Sequence, residues 1–318
     1  MKNYDRNYKM QAYKTEDEKL NAVKQDGLDI RFIRNPSEEV QLAAVQQNGW
    51  VIQCIENPSE NVKLAAVKRN GHVIQFIKKP SEEIQLAAIK QYTYAIEYIK
   101  NPSITVQLEA VKQDGYVIEF IKNPSEEVKL AAVKQIGYAI QYIKNPSEEV
   151  KLAAVKQNGC AIEYIENPSI TVQLEAVNQD GYAIKFIKNS SKEIQLAAVK
   201  RNGCAIEYIK NPSITVQLEA VKQEGYAIQH IKNPSKEIQL TVVKKDGWLI
   251  QFIENPSEEV QLAAVKQRGK SIIFIKNPSE NVIKTAIQNG ATKKDLMKII
   301  DIDWNKISDE LWLAIQLM

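Results

Sequence analysis

Histidine and cysteine are scarce in this chain of 318 residues, and their scarcity removes much enzymatic chemistry from consideration. His72 and His230 are the only histidines. They lie too far apart in sequence to suggest one site, so no cluster of serine, histidine and carboxylate can be assembled. Cys54, Cys160 and Cys204 are the only cysteines, with no C-x-x-C and no metal-ligand spacing among them. That pattern argues against a disulfide framework and for a reducing, cytoplasmic setting. No phosphate-binding glycine loop of either common type is present. No run approaches the roughly 18 apolar residues that cross a bilayer. The first residues, M-K-N-Y-D-R-N-Y-K-M, lack the apolar core of a secretory signal. Charge is nearly balanced, 42 basic against 39 acidic residues, and a net +3 does not by itself call for nucleic acid. The expectation is a non-enzymatic, intracellular protein with no catalytic residues, no metal, no cofactor and no membrane contact.

Proline is confined to one beat. Pro36, Pro58, Pro80, Pro102, Pro124, Pro146, Pro168, Pro212, Pro234, Pro256 and Pro278 are spaced by 22 residues or, across Ser190, by twice that. Eleven glycines from Gly27 to Gly269 keep the same step, with Thr93 the one exception. A fixed period of tens of residues is the mark of a stacked array. Pro124–Asn145 reads P-S-E-E-V-K-L-A-A-V-K-Q-I-G-Y-A-I-Q-Y-I-K-N, and the next copy is nearly the same.

Each repeat reads as two short helices. Ser125 is placed to cap the first, with Glu126 and Glu127 at its positive end and Lys134 in its last turn. Val128, Leu130, Ala132 and Val133 supply apolar surface. Gly137 is expected to end this helix in a left-handed conformation. The second helix, Tyr138 to Lys144, is barely two turns and partly 3₁₀, with Ala139, Ile140 and Ile143 inward. The asparagine before each proline is a turn residue, since the position before proline is pushed out of the helical region. Neither helix is long enough to persist alone. The fold expected is therefore all-α: a right-handed-type α-solenoid of about twelve 22-residue two-helix repeats with a C-terminal helical cap.

The ends depart from the pattern. Residues 1–13 form a tyrosine-rich N-terminal arm, 14–290 the solenoid and 291–318 the cap. The first repeat puts Glu18 where later ones have Val or Ile, which suits a terminal repeat. Near the other end Gly290 comes one residue early and Lys284 replaces a leucine. Thr292 is positioned to cap a helix through Ile300, and Ser308 another through Met318, with Ile307, Leu311 and Ile315 on one stripe and Trp312 beside it.

The run Ala132-Val133-Lys134-Gln135 with Gly137 resembles bacterial and viral A-V-K-Q-x-G repeats of unknown function. The helix-plus-3₁₀ style is similar to leucine-rich repeat variant proteins and, more loosely, to HEAT-like arrays. The resemblance covers about residues 15–290. It implies a solenoid scaffold for protein–protein interaction, in the setting of a viral, phage or bacterial effector acting on a host protein. The repeat is shorter than HEAT, armadillo or tetratricopeptide units, so no binding residue carries over from them.

In a solenoid, each position of the repeat becomes a stripe. An aromatic stripe follows the glycines: Trp50, His72, Tyr94, Tyr116, Tyr138, Tyr182, Tyr226 and Trp248. A second aromatic falls four residues later, as in Phe120 and Tyr142, and the i,i+4 spacing would put the two on one helical face. The residue just before the second ring is polar and changes from repeat to repeat, as Glu119, Gln141, Glu163 and Lys185 do. Interfaces favour such tyrosine and tryptophan surfaces. The candidate partner-binding residues are thus Tyr94, Tyr116, Tyr138, Tyr182, Tyr226, Trp248, Glu119, Gln141, Glu163 and Lys185. Ring packing in the seam between repeats would produce the same pattern. The alternative stripe is cationic: Lys112, Lys134, Lys156, Lys200 and Lys222, a track for the nucleic-acid backbone, or equally a set of charges that offset helix dipoles. A further basic stripe ends each second helix but is broken by Glu56, Glu166 and Glu254. Ile104, Ile170 and Ile214 replace a cap glutamate in three repeats. The expected function is a scaffold that engages or sequesters a protein partner along this surface, with sequence-independent nucleic-acid binding as the alternative.

Overall fold

The computed structural model describes residues 13–299 and 307–317. Among these, twelve α-helices of ten residues alternate along the chain with twelve 3₁₀ helices of six, and no strand is present. The fold is an all-α solenoid built from repeats of about 22 residues. Two compact bodies divide between Gln157 and Asn158. The first runs from the helix Glu16–Gln25 through Glu148–Gln157, and the second from the 3₁₀ helix Gly159–Tyr164 to Asp309–Leu317. Of the expected N-terminal arm only Tyr13 is described, and its hydroxyl donates to Asp29 Oδ2 at 2.9 Å.

The local causes of the repeat are clear at Ser125. Its hydroxyl accepts the Val128 amide at 3.4 Å and opens the helix Glu126–Gln135. Ile136 ends that helix in extended backbone (φ −140°, ψ 113°), its N–H donating to Ala132 O. The 3₁₀ helix Gly137–Tyr142 follows at once. In many repeats the residue between the two helices is Asn or Asp, and its side chain caps the 3₁₀ helix. Asp114 accepts the Tyr116 amide at 2.9 Å in the first body, and Asp246 accepts Trp248 at 3.0 Å in the second.

The left-handed position is not the glycine. Every described residue before the repeat's proline has positive φ, for example Asn123 at 50° and Asn145 at 49°, whereas the repeat glycines do not. Asparagine tolerates that region, and Lys79 and Asn189 hold the same turn in their repeats. The glycines answer a different need. A Cβ built on Gly115 falls 2.5 Å from Ala132 O, a carbonyl of the next repeat's helix. The close approach leaves room for a backbone and nothing else. The Gly115 amide meanwhile donates to Gln135 Oε1 at 2.8 Å. The same clasp joins Gly71 to Gln91 in the first body and Gly247 to Gln267 in the second. Where Thr93 replaces glycine, its hydroxyl takes over the bond to Gln113 Oε1.

Behind this seam lies the core. Val128, Ala132, Val133, Ala139, Ile140 and Ile143 are buried, as their equivalents are along both bodies, while Leu130 is half-buried. A second link runs along the helix starts. The Ser59 hydroxyl donates to Glu38 of the preceding repeat at 2.5 Å, and Ser279 to Glu258 at 2.6 Å. Ser37 makes the equivalent bond to Glu16, which holds that carboxyl below its usual range. The glutamines at Gln41, Gln85 and Gln261 each donate to the carbonyl of their own repeat's proline at 2.9 Å.

The last repeat ends differently. After the helix Glu280–Gln288, Gly290 has φ +91°, Gly290 N–H reaches Ile287 O and Ala291 N–H reaches Ala286 O. This is a Schellman stop, the role expected of Gly137. Thr292 caps only a four-residue helix, Lys293–Leu296, shorter than expected, and Ile300 lies outside the described residues. The helix Asp309–Leu317 buries Leu311 and Ile315, while Met318 is outside the described residues.

If close approach is what demands glycine, Gly115→Ala should cost about 1–3 kcal/mol, the scale of overpacking. Asn123→Gly should be close to neutral, and Asn123→Ala should cost roughly 1–2 kcal/mol. Urea denaturation of the three variants checks the order. A neutral Gly115→Ala would contradict the seam.

Candidate partner-binding surface

A 3₁₀ helix has three residues per turn, and this sets what each repeat shows to the outside. In Gly137–Tyr142, Ala139 and Ile140 turn inward and are buried, while Gln141 and Tyr142 are exposed and Tyr138 is half-buried. Glu119, Glu163 and Lys185 are exposed at the position of Gln141. Among the first-stripe aromatics, Tyr226 is 56% exposed and Tyr94 and Trp248 are each 37% exposed, whereas Tyr116 and Tyr182 are half-buried.

The rings do not pair in the way the i,i+4 spacing suggested. The first aromatic of one repeat meets the second aromatic of the next, edge to face. In the first body, Tyr94–Phe120 and Tyr116–Tyr142 have centroids 5.9 and 6.2 Å apart. In the second, Tyr182–Tyr208, Tyr226–Phe252 and Trp248–Phe274 lie at 6.2, 5.9 and 5.7 Å. Four residues on a 3₁₀ helix are a turn and a third, so the rings of one repeat diverge and each reaches its neighbour's. Tyr92, absent from the sequence-based candidates, joins a denser patch with Trp50, His72 and Tyr98; His72 is 5.4 Å from Tyr92 and 5.1 Å from Tyr98. Its signal was the run Q-Y-T in place of Q-x-G. The first-stripe residue also bonds onward: Tyr94 OH donates to Asp114 Oδ2 at 3.0 Å, which pushes the phenol above its usual range.

Beside the ring row lies a recurring notch. Its walls are the variable polar residue, the buried isoleucine and Asn-Pro turn that follow it, and the second ring of the next repeat. In the first body one notch takes Glu119, Lys122, Asn123, Tyr142 and Lys144, and another takes Gln53, Glu56, Asn57, Phe76 and Lys78. In the second body a notch of about 640 Å³ takes Glu163, Glu166, Phe186 and Lys188. A smaller one of about 430 Å³ takes Lys185, Lys188, Tyr208 and Lys210. The notches thus draw in Glu119, Glu163 and Lys185 from the candidate partner-binding residues, and join to them members of the second aromatic stripe and of the basic stripe that ends each second helix, Lys188 and Lys210 among them.

The lysine stripe is elsewhere. Lys112, Lys134, Lys156, Lys200 and Lys222 are exposed in the last turns of the α-helices. Ile104, Ile170 and Ile214 are exposed where a glutamate would link to the next serine. The Cys204 thiol is pushed up to about 12 by burial and by Glu224, so it stays protonated at neutral pH. Among the described residues, no three His, Cys, Asp or Glu side chains gather as a metal site, and no helix is long and apolar enough to cross a membrane.

Over residues 171–212 the chain is similar to a family described as "Domain of unknown function (DUF4116)". That stretch runs from the helix Ile170–Gln179 to Pro212, close to two repeats, and is a small part of the chain. No curated protein and no solved structure matches.

If the outer rings are surface rather than core, Tyr226→Ala should lose an edge-to-face pair worth about 0.5–1.5 kcal/mol and the small burial of a side chain already 56% exposed. Ile228→Ala, two residues on and buried, should cost about 2–5 kcal/mol. Thermal melts followed by circular dichroism compare them, and equal losses would return the rings to the core.

Proposed function

We propose that this protein is a non-enzymatic scaffold that engages or sequesters a protein partner along the ring row and its notches. The observation that carries the reading is the contrast between the two sides of each 3₁₀ helix. The inner side repeats almost without change. The outer side keeps a large, partly exposed ring in most repeats, interrupted by Cys160, Cys204 and Lys270 in the first stripe and by Cys54 in the second, and it varies the polar residue beside the rings, from Glu119 to Gln141 to Lys185. Rings already fixed by edge-to-face contacts lose little freedom on binding, and tyrosine and tryptophan are favoured at interface centres. The resemblance to leucine-rich repeat variant and A-V-K-Q-x-G arrays supports an effector that acts on another protein.

The second reading, sequence-independent nucleic-acid binding, draws on the exposed Lys112, Lys134, Lys156, Lys200 and Lys222. Their last-turn position, opposite glutamates at helix starts such as Glu126 and Glu148, also fits dipole compensation.

The test is capture of a partner from lysate with and without nuclease, using two variant sets. Tyr116, Tyr138, Tyr182 and Tyr226 changed to Ala should weaken a nuclease-resistant protein partner at least about tenfold. Lys112, Lys134, Lys156 and Lys200 changed to Glu should leave it nearly intact. Bound material lost to nuclease, to the lysine set and to rising salt would favour the second reading instead.

A further inference from the structure

Two adjacent notches of the second body differ in sign, and the difference follows from single residues. The first is lined by Glu163 and Glu166, with Lys188 at its far wall. The next is lined by Lys185, Lys188 and Lys210 with no carboxylate in its walls. Lys185 is the only lysine at its position of the repeat; the others carry Gln, Glu, Arg or Ile. Its ammonium rests over the Phe186 ring, 4.6 Å from the centroid, and is exposed. The basic notch is also the one whose turn has Ser190 where the others have proline. Serine brings a backbone N–H and a hydroxyl that proline lacks. That hydroxyl accepts Gln195 Nε2 at 3.5 Å. The basic notch is therefore lined by three lysines, the Ser190 turn and Tyr208.

We propose that this pair of notches reads an extended segment of the partner, seating an anionic side chain in the Lys185–Lys188–Lys210 notch and a cationic one at Glu163 and Glu166. This deepens the scaffold reading and rests on it. The spacing follows from general geometry. Packed helices lie about 8–10 Å apart, and an extended chain in the polyproline II conformation advances about 3.1 Å per residue with three residues per turn, so side chains three apart share a face. Neighbouring notches thus meet side chains about three residues apart, so the motif is one basic and one acidic residue separated by two others. The anion is a carboxylate or a phosphate monoester on the peptide, since both present oxygens to ammonium and N–H donors.

The experiment uses the full chain and labelled, capped twelve-residue peptides read by fluorescence anisotropy. The peptides carry Arg-Ala-Ala-Glu, Arg-Ala-Ala-phosphoserine, both in reversed order, and a Gln-Ala-Ala-Gln control. One order should bind at least about tenfold more tightly than the control, and the Glu and phosphoserine arms identify the anion. Lys185→Glu with Lys210→Glu should remove that preference, and both sites are exposed, so the fold should persist by circular dichroism. Lys185→Gln with Lys210→Gln should give the same loss should the first pair disturb it. No charged peptide surpassing the control, or a preference untouched by either pair, overturns the proposal. So does inorganic phosphate displacing the peptides at equal concentration, or a single-stranded oligonucleotide that binds tighter than every peptide through the same lysines. Loss of the notch effect while the tyrosine set still abolishes protein capture would remove this assignment and leave the scaffold standing. Loss of both would remove the scaffold too.

Discussion

The close contact between the repeat glycine and the alanine carbonyl of the following helix, made at Gly27, Gly49, Gly71, Gly115, Gly159, Gly181, Gly203, Gly247 and Gly269, is the constraint on which the rest depends. A repeat of 22 residues is far below the size at which a chain buries enough apolar surface to fold alone. Its stability comes from its neighbours, and the neighbours can close only where backbone meets backbone. At Gly115 a Cβ would stand 2.5 Å from Ala132 O, so the residue that permits the approach is fixed by the next repeat rather than by its own helix. The same approach brings the Gly115 amide to Gln135 and thereby satisfies the start of the 3₁₀ helix. Valine and isoleucine then fill the space behind, as Val128, Val133 and Ile140 do without any exposure beyond a few per cent.

Because the inner positions are committed to the seam, variation is left to the outside. The 3₁₀ helix matters here. Its tighter turn separates the two rings of a repeat, so that Tyr116 rests on Tyr142 and Tyr226 on Phe252. Rings held by their neighbours stay partly exposed without lying loose. The Asn-Pro turn, with left-handed Asn123 and its equivalents, opens the notch beside them. A polar residue at the rim can change from glutamate to lysine without touching the core, which gives the array a chemically adjustable edge.

Much of this was legible in the sequence. The proline and glycine beat announced stacking, Ser125 announced a cap, and the asparagine before proline announced a turn. Ala139, Ile140 and Ile143 were correctly read as inward. What failed was whatever depended on the next repeat. Gly137 looked like a left-handed stop because it follows a helix, and that local logic is sound at Gly290, where no further repeat follows. The role of Gln135 could not be read locally, because its partner lies 20 positions back. The i,i+4 spacing placed the two rings of a repeat on one face and left seam packing open beside it; the rings meet across the seam, a contact that a one-dimensional spacing rule cannot decide. The notches were invisible for the same reason.

The central claim is that each repeat is held by its immediate neighbour through the glycine seam. Amide hydrogen exchange in the wild type and in Gln135→Ala tests it most directly. Loss of one hydrogen bond with net worth of about 0.5–1.5 kcal/mol should speed exchange at Gly115, in the preceding repeat, by roughly two- to tenfold, and leave Gly71 unchanged. Faster exchange spread evenly over Gly71 and Gly115, or none at Gly115, would contradict the account.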